Sequence, residues 1–220
     1  MYSVFEKLPD EKKKRIIDAC IKEFGANGYT NTSTNNIIKE ANISKGLLFH
    51  YFGNKKNLYL YIVEYTTNHY VNLLLESMKV LDSDFFQRVM DFAELKMKIS
   101  AEEPLVYNFF ASVYISDLPE EIKPEVNEIY SKLVEISNEY SFKDIDMSKF
   151  RDDIDKEKTI EIILLALYGI SDKYAKIYKS REDKGFAIRQ QASEEMKEYI
   201  EILKKGFYKW NRKLESFTSH

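Results

Sequence analysis

Residues that interrupt helices are scarce in this chain, with only 7 Gly and 4 Pro among 220 residues. Sandwiches and barrels of β-strands need frequent turns, and those turns draw heavily on glycine and proline. Hydrophobic residues still make up 44% of the chain and aromatic residues 14%, which excludes a disordered protein and leaves material for a sizeable core. The composition therefore predicts an all-α protein.

Cysteine and long apolar runs are also nearly absent. The single Cys20 cannot form an intramolecular disulfide, and its neighbours Ile16, Ile17 and Ile21 indicate a small hydrophobe buried in a helix. No apolar segment approaches the ~20 residues that span a bilayer. We therefore expect a cytoplasmic protein without a secretory leader or membrane contact.

The residue patterns that carry catalysis and metal binding are missing. The three histidines, His50, His69 and His220, are scattered along the sequence. No His-Glu-x-x-His motif, cysteine pair, glycine-rich phosphate loop or nucleophile elbow occurs. We therefore predict no enzyme activity, no catalytic residue, no metal site and no cofactor. An all-helical enzyme is kept as an alternative hypothesis.

Positive charge is concentrated at one end of an acidic chain. The net charge is −3, which by itself disfavours binding to nucleic acid. Residues 1–57, however, contain ten Lys or Arg and six Asp or Glu, whereas residues 58–220 contain 23 and 30. The first segment thus carries +4 and can attract a polyanion, while the remainder carries −7.

The positive segment has the apolar periodicity of three short helices. The first is predicted to begin after Pro9 and to end near Gly28, because proline suits a first turn and glycine a helix end. The second is predicted over residues 34–41. After a tight turn, Ser44 caps the third helix, which Gly53 closes.

Helical periodicity continues from residue 58 onward and predicts six further helices, about nine in all. A charged segment over residues 141–154 is expected to be a loop with one irregular turn. The last helix is expected over about residues 187–214. The third helix of the chain is too polar, aromatic and basic at its start to be wholly core, which is typical of a helix-turn-helix that enters a DNA groove.

The first quarter of the chain resembles the N-terminal domain of TetR-type transcriptional regulators. The resemblance is specific because the second helix, the turn, the third helix and a following Lys-x-x-Leu recur together at the same spacing. It rests on Phe24, Gly28, Tyr29, Thr34, Ile37, Ile38, Ala41, the run from Ser44 to Gly46, the run from Leu48 to Phe52, Lys55 and Leu58.

The resemblance implies a helix-turn-helix DNA-binding domain over residues 1–57 and a helical effector-binding and dimerisation domain over residues 58–220. It implies a ligand-responsive regulator, most often a repressor in this family, that binds a near-palindromic double-stranded DNA operator as a homodimer. A small-molecule effector would release it, and the last two helices would pair the subunits. A helical ligand-binding module without DNA binding is the other alternative.

The residues expected to contact DNA lie at the starts of three helices and along the third. Ser33 and Thr34 can offer hydroxyls and free amides to phosphate, or they can be plain helix caps. Lys55 combines a cation with a helix N-terminus, which suits a phosphate anchor, whereas Leu47 can read only a thymine methyl. The predicted contacts are Ser33, Thr34, Ser44, Lys45, Gly46, Phe49, His50, Tyr51 and Lys55.

The C-terminal part contains aromatic residues that can line an apolar cavity with phenolic groups. Aromatic stripes at helical spacing also form ordinary cores, so both interpretations stay open. By resemblance we expect an apolar or aromatic effector. The predicted lining residues are Phe92, Tyr107, Phe110, Tyr114 and Tyr168.

Overall fold

A computed structural model describes residues 2–78, 82–141, 143–180 and 186–209. Within these ranges the regular elements are ten α-helices and one 3₁₀-helix, and the only β-type pairing is an isolated bridge between Phe150 and Tyr208. The all-α prediction is confirmed. In chain order the elements are α1 (Ser3–Glu6), α2 (Asp10–Asn31), α3 (Thr34–Ala41), α4 (Lys45–Phe52), α5 (Lys55–Met78), α6 (Phe85–Glu102), α7 (Pro104–Ile115), α8 (Lys123–Ser141), the 3₁₀-helix (Met147–Lys149), α9 (Lys156–Ser180) and α10 (Phe186–Phe207).

The chain forms two compact units. Unit 1 contains residues 1–79 and 95–141, and unit 2 contains residues 80–94 and 142–220. The helices α1 to α5, α7 and α8 therefore belong to unit 1, α9 and α10 belong to unit 2, and α6 contributes residues to both. The expected domain boundary between residues 57 and 58 stays a prediction.

The core of unit 1 joins the N-terminal helices to α5, α7 and α8. Phe24 of α2, Ile37 of α3 and Leu48 of α4 are buried in the same cluster as Ile62 of α5. Cys20 is completely buried there as predicted, and burial raises the pKa of its thiol. The short helices α3 and α4 are therefore stabilised by tertiary packing, since eight residues are too few for an isolated helix.

The four-residue helix α1 is an element that the sequence pattern did not predict. Phe5 is fully buried, and its ring centroid lies 5.7 Å from Tyr51, 4.8 Å from Phe52 and 5.3 Å from Tyr61. The Tyr61 hydroxyl donates to the Glu6 carboxylate at 2.6 Å. One turn is too short to display a helical period, so only the tertiary contacts reveal this helix. It closes the core beneath α4.

Helix α2 runs three residues beyond the predicted end at Gly28. Gly28 has φ 65° and ψ −179°, a left-handed backbone that glycine adopts without strain, and the helix continues on the other side of this break to Asn31. The Thr32 hydroxyl donates to the Gly28 carbonyl at 2.6 Å. The glycine therefore kinks the helix near its end and does not terminate it.

Unit 2 is built on an aromatic core. Phe85, Phe86 and Phe150 are buried together with Ile163 of α9 and Ile200 of α10. The 3₁₀-helix lies within residues 141–154, which confirms the expected irregular turn there.

The last helix ends earlier than predicted. α10 stops at Phe207, and the next residue, Tyr208, pairs with Phe150 and packs its ring at 4.9 Å from both Phe86 and Phe150. Pairing and aromatic packing thus replace the helical turn that periodicity predicted. Residues 210–214 of the predicted helix lie outside the described residues. Across the part of the chain that is described, no helix combines the length and apolarity that a membrane crossing requires.

Candidate nucleic-acid interface

A short turn fixes the angle between α3 and α4. Asn42 adopts a left-handed backbone, φ 49° and ψ 55°, which asparagine tolerates better than most residues. The Ser44 hydroxyl then accepts a hydrogen bond from the Leu47 amide at 3.2 Å, so the predicted cap of α4 is confirmed. Arg15 of α2 donates to the Ala41 carbonyl at 2.9 Å and secures the turn from the side.

Helix α4 turns a polar face outward. Its apolar residues Leu48 and Phe52 are buried, while Phe49 is half-buried. The large side chain of Leu47 is 37% exposed beside the polar positions, although it was not among the predicted contacts. The predicted contact residues that the structure leaves exposed on this face are Ser44, Lys45, Gly46 and His50.

Tyr51 is placed differently from the other predicted contacts on α4. It is only 8% exposed, and its ring packs against Phe5 and Phe52. The ring therefore belongs to the core beneath α4, and a phosphate contact through the small exposed part stays a prediction.

The start of α3 is capped by a residue of another helix. Glu23 of α2 accepts hydrogen bonds from the Ser33 amide at 3.0 Å and from the Asn36 side chain at 3.3 Å. Among the described residues, the Ser33 side chain makes no capping bond of its own. Sequence reasoning missed Glu23 because a local capping signature cannot show a carboxylate that arrives from ten residues away. Ser33 and Thr34 are half-buried at this helix start.

Lys55 lies at the first position of α5, directly after α4. Asn54 caps this helix by accepting from the Asn57 amide at 2.8 Å. The Lys55 ammonium donates to the Thr30 carbonyl at 3.0 Å and lies 5.2 Å from the centre of the Tyr29 ring. An ammonium has three donors, so the bond to Thr30 leaves this lysine with donors for a second acceptor, and the predicted phosphate contact stays a prediction.

Three of the five predicted ligand-lining residues lie together in unit 1. Tyr107, Phe110 and Tyr114 follow one another along α7, and Phe110 stacks on Tyr70 of α5 at 4.3 Å. The Tyr114 hydroxyl shares a 2.9 Å hydrogen bond with Thr67, and burial raises the pKa of Tyr114. We call this set the aromatic column; it consists of Tyr70, Tyr107, Phe110, Tyr114 and Tyr130.

A groove of about 420 Å³ opens at one end of the aromatic column. Tyr114 and Tyr130, whose ring centroids are 4.5 Å apart, line it together with the buried Val113 and Val126. The rest of the lining is mostly polar and includes Ser116, Asp117, Glu120, Lys123 and Asn127. Its volume falls within the range of small-molecule sites, ~300–1,000 Å³.

The two other predicted lining residues belong to unit 2. Phe92 is half-buried on α6, and Tyr168 is 57% exposed on α9. A ligand role for all five residues stays a prediction. Within the described ranges, no group of three or more His, Cys, Asp or Glu residues could hold a metal ion.

Residues 16–62 match the sequence model of the bacterial regulatory proteins of the tetR family. The chain is 27% identical over 161 residues to the biofilm operon icaADBC HTH-type negative transcriptional regulator IcaR of Staphylococcus epidermidis, covering 70% of this chain and 80% of that protein. It is 44% identical over 55 residues to the uncharacterized HTH-type transcriptional regulator YuxN of Bacillus subtilis, covering 25% of this chain and 19% of that protein.

The fold is also that of a solved regulator. The crystal structure of the transcriptional regulator FadR from Bacillus subtilis, in complex with stearoyl-CoA, superposes with a TM-score of 0.61 at 17% identity, covering 88% of this chain and 98% of that one. Residues 16–62 thus carry a helix-turn-helix of the tetR family, and the chain as a whole is similar in sequence and in fold to transcriptional regulators of that type.

Proposed function

We propose that this chain is a ligand-responsive repressor that binds a near-palindromic operator as a homodimer and leaves it when a small molecule binds. The observation that carries the proposal is the exposed polar face of α4, held by a capped turn on a buried three-helix core. The IcaR relative is named a negative transcriptional regulator, which supports repression, not activation, of transcription by this chain.

Each part of the α4 face suits a step of DNA binding. Ser44 and Gly46 have small side chains that permit close approach to the groove, and Lys45 is exposed between them for a base edge or a phosphate. Lys55 would anchor the backbone at the start of α5. Two such helices in a dimer would enter successive major grooves ~34 Å apart.

The last two helices offer a surface for pairing the subunits. Ile162, Leu165 and Tyr168 recur at three-residue intervals on α9 and are more than half exposed, and Ile202 of α10 is 65% exposed. Large apolar side chains grouped on the surface of packed helices mark interaction sites. We call these four exposed residues of α9 and α10 the exposed stripe, and they support a homodimer formed through the two helices.

The aromatic column supports an apolar or aromatic effector. Its rings provide stacking surfaces, and the Tyr114 and Thr67 hydroxyls provide polar groups that can orient a ligand. The effector needs only to bind one conformer better than the other, and a coupling of about 1–3 kcal/mol is enough for regulation.

Selection of bound fragments from the source genome tests the proposal. We expect the full-length protein to enrich fragments that share an inverted repeat, and footprinting to show protection of two half-sites. A panel of aromatic and long-chain apolar acids, followed by fluorescence anisotropy of the labelled fragment, should then contain a compound that releases DNA. Absence of any enriched sequence, with the protein folded, would contradict the DNA-binding proposal itself.

A further inference from the structure

Two lysines begin α5, and one of them, Lys56, is paired with a residue in the first turn of α8. The Lys56 ammonium lies 2.7 Å from the Glu125 carboxylate. Both side chains are partly exposed, and the Lys56 hydrogen bond holds the pKa of Glu125 below its usual value. The carboxylate therefore neutralises a cation that stands next to the expected phosphate anchor, Lys55.

The second lysine is connected to the same corner through Tyr29. The Lys55 ammonium lies over the Tyr29 ring and donates to the Thr30 carbonyl. Burial, followed by a hydrogen bond to Glu121, raises the pKa of Tyr29 to about 12. Glu125 thus contacts Lys56 directly, whereas Glu121, just before α8, contacts Lys55 only indirectly, through the Tyr29 ring.

A cavity of about 230 Å³ adjoins these contacts. Its lining includes Gly28 and Tyr29 at the end of α2 and Asp117 and Pro119 in the loop before α8, together with residues of α5 and α7. Close packing does not fill the space between these segments at this point. Of the two contacts, the one between Glu121 and Tyr29 involves a residue that lines this cavity.

We infer that Glu125 competes with the DNA backbone for Lys56, so that the start of α8 sets how many cations α5 presents to phosphate. The inference rests on the proposed function, because it requires the start of α5 to lie at the DNA. An exposed ion pair contributes little stability, so Lys56 can exchange a carboxylate partner for a phosphate at small cost. A displacement of α8 would move Glu125 and alter that exchange.

The variant Glu125→Gln tests whether Glu125 competes with phosphate for Lys56, because it removes the charge of the side chain and nearly keeps its size and shape. Glu128→Gln is the matched control, since Glu128 is exposed on the same helix and pairs at 2.8 Å with Lys132, also on α8. The probes are the genomic fragment recovered by selection and a random-sequence duplex of equal length. Affinity is measured by fluorescence anisotropy between 50 and 200 mM salt, and circular dichroism melting verifies the fold.

We expect Glu125→Gln to bind more tightly at low salt, with a salt dependence steeper by about one counterion. The affinity ratio between Glu125→Gln and Glu128→Gln should then fall about three- to fourfold from 50 to 200 mM salt. Lys56→Gln should remove the effect, so that the double variant Lys56→Gln with Glu125→Gln has the salt slope of Lys56→Gln alone.

Two results would overturn the inference. Equal salt slopes for the two glutamate variants would show that Glu125 does not withhold a cation from DNA. A shallower slope for Glu125→Gln would show that Glu125 positions Lys56 for DNA and does not compete for it. Failure of the unaltered protein to bind either duplex would instead contradict the proposed function, so the two failures are distinguishable.

Discussion

Lys55 is proposed to combine two roles: its ammonium donates to the Thr30 carbonyl at the end of α2, and we expect it also to contact the DNA backbone. Replacing Lys55 with alanine should weaken binding to every DNA sequence by a similar factor and make the salt slope shallower by about one unit. Titration of the selected fragment and of a random duplex at several salt concentrations measures both quantities. Lys132→Ala, which removes an exposed lysine from α8, is the control, and equal slopes for the two variants would exclude a phosphate contact by Lys55.

Phe5 has a purely structural role that the sequence does not reveal. Its ring is fully buried against Tyr51 and Phe52 of α4, so Phe5→Ala should lower the free energy of unfolding by about 3–5 kcal/mol. Urea denaturation followed by circular dichroism measures the change. The neighbouring Val4 is 50% exposed, and Val4→Ala should change stability by less than about 0.5 kcal/mol. Similar losses for both variants would mean that α1 does not pack as described.

At the scale of an element, the residue that caps α3 is not the residue expected to contact DNA. Variants of the two residues can therefore distinguish an effect on stability from an effect on DNA affinity. Glu23 accepts from the Ser33 amide, so Glu23→Ala should destabilise the protein by about 1 kcal/mol. Ser33→Ala should leave stability unchanged, because the Ser33 side chain makes no capping bond within the described structure. If Ser33 contacts phosphate, the same variant should lose DNA affinity. Thermal melting of both variants measures stability, and DNA titration measures affinity. If Ser33→Ala destabilises the protein, Ser33 acts as an ordinary helix cap.

The start of α6 is held by a carboxylate that makes stability in unit 2 depend on pH. Asp84 accepts from Lys149 at 2.7 Å, from the Gln87 amide at 2.9 Å and from the Tyr208 hydroxyl at 3.2 Å. Burial alone raises the pKa of Asp84, but the hydrogen bond from Lys149, with the others, outweighs burial and places the pKa below its ordinary value.

Because the pKa of Asp84 is lower in the folded state, its stabilising contribution is complete above the unfolded value of about 4 and is lost as the pH falls through the folded value. Asp84→Asn should therefore cost about 1–2 kcal/mol at pH 7 and progressively less below pH 4. Urea denaturation of both proteins at pH 7, 4 and 3 measures the difference. A difference that stays constant with pH would show that the charge of Asp84 contributes nothing.

The elements that local chemistry defines are the ones that the sequence predicts well. Ser44 caps α4 and Asn42 turns the chain, and both follow from the properties of the residue at that position. The α1 helix and the Glu23 cap depend on contacts between distant segments, which periodicity does not contain. Periodicity also shows that Tyr168 lies on an apolar face of α9, but it cannot show whether that face meets the core or remains exposed.

At the scale of the whole molecule, the proposed function requires two copies of the chain. One copy presents one α4 face, and a near-palindromic operator offers two half-sites. The second copy would bind through the exposed stripe on α9 and α10. Linking two DNA-binding units makes the second contact intramolecular, which raises the overall affinity without any new residue at the DNA.

Leu165→Glu should convert the protein from dimer to monomer. Leu165 is 64% exposed near the middle of the stripe, and pairing two copies would bury a charge without a partner. The monomer should remain folded, since this side chain contributes little to its own subunit, and should bind the operator at least about a hundredfold more weakly. Analytical ultracentrifugation, circular dichroism and DNA titration measure the three effects.

Val4→Glu is the control for the dimer prediction, because it also places a charge on an exposed aliphatic position, on α1 of unit 1. That variant should stay dimeric. If Leu165→Glu also stays dimeric at micromolar concentration, α9 does not supply the interface, and the exposed stripe must have another occupant. If the unaltered chain is itself a monomer that binds the palindrome tightly, the two-copy arrangement fails, because one α4 face would then account for the full affinity.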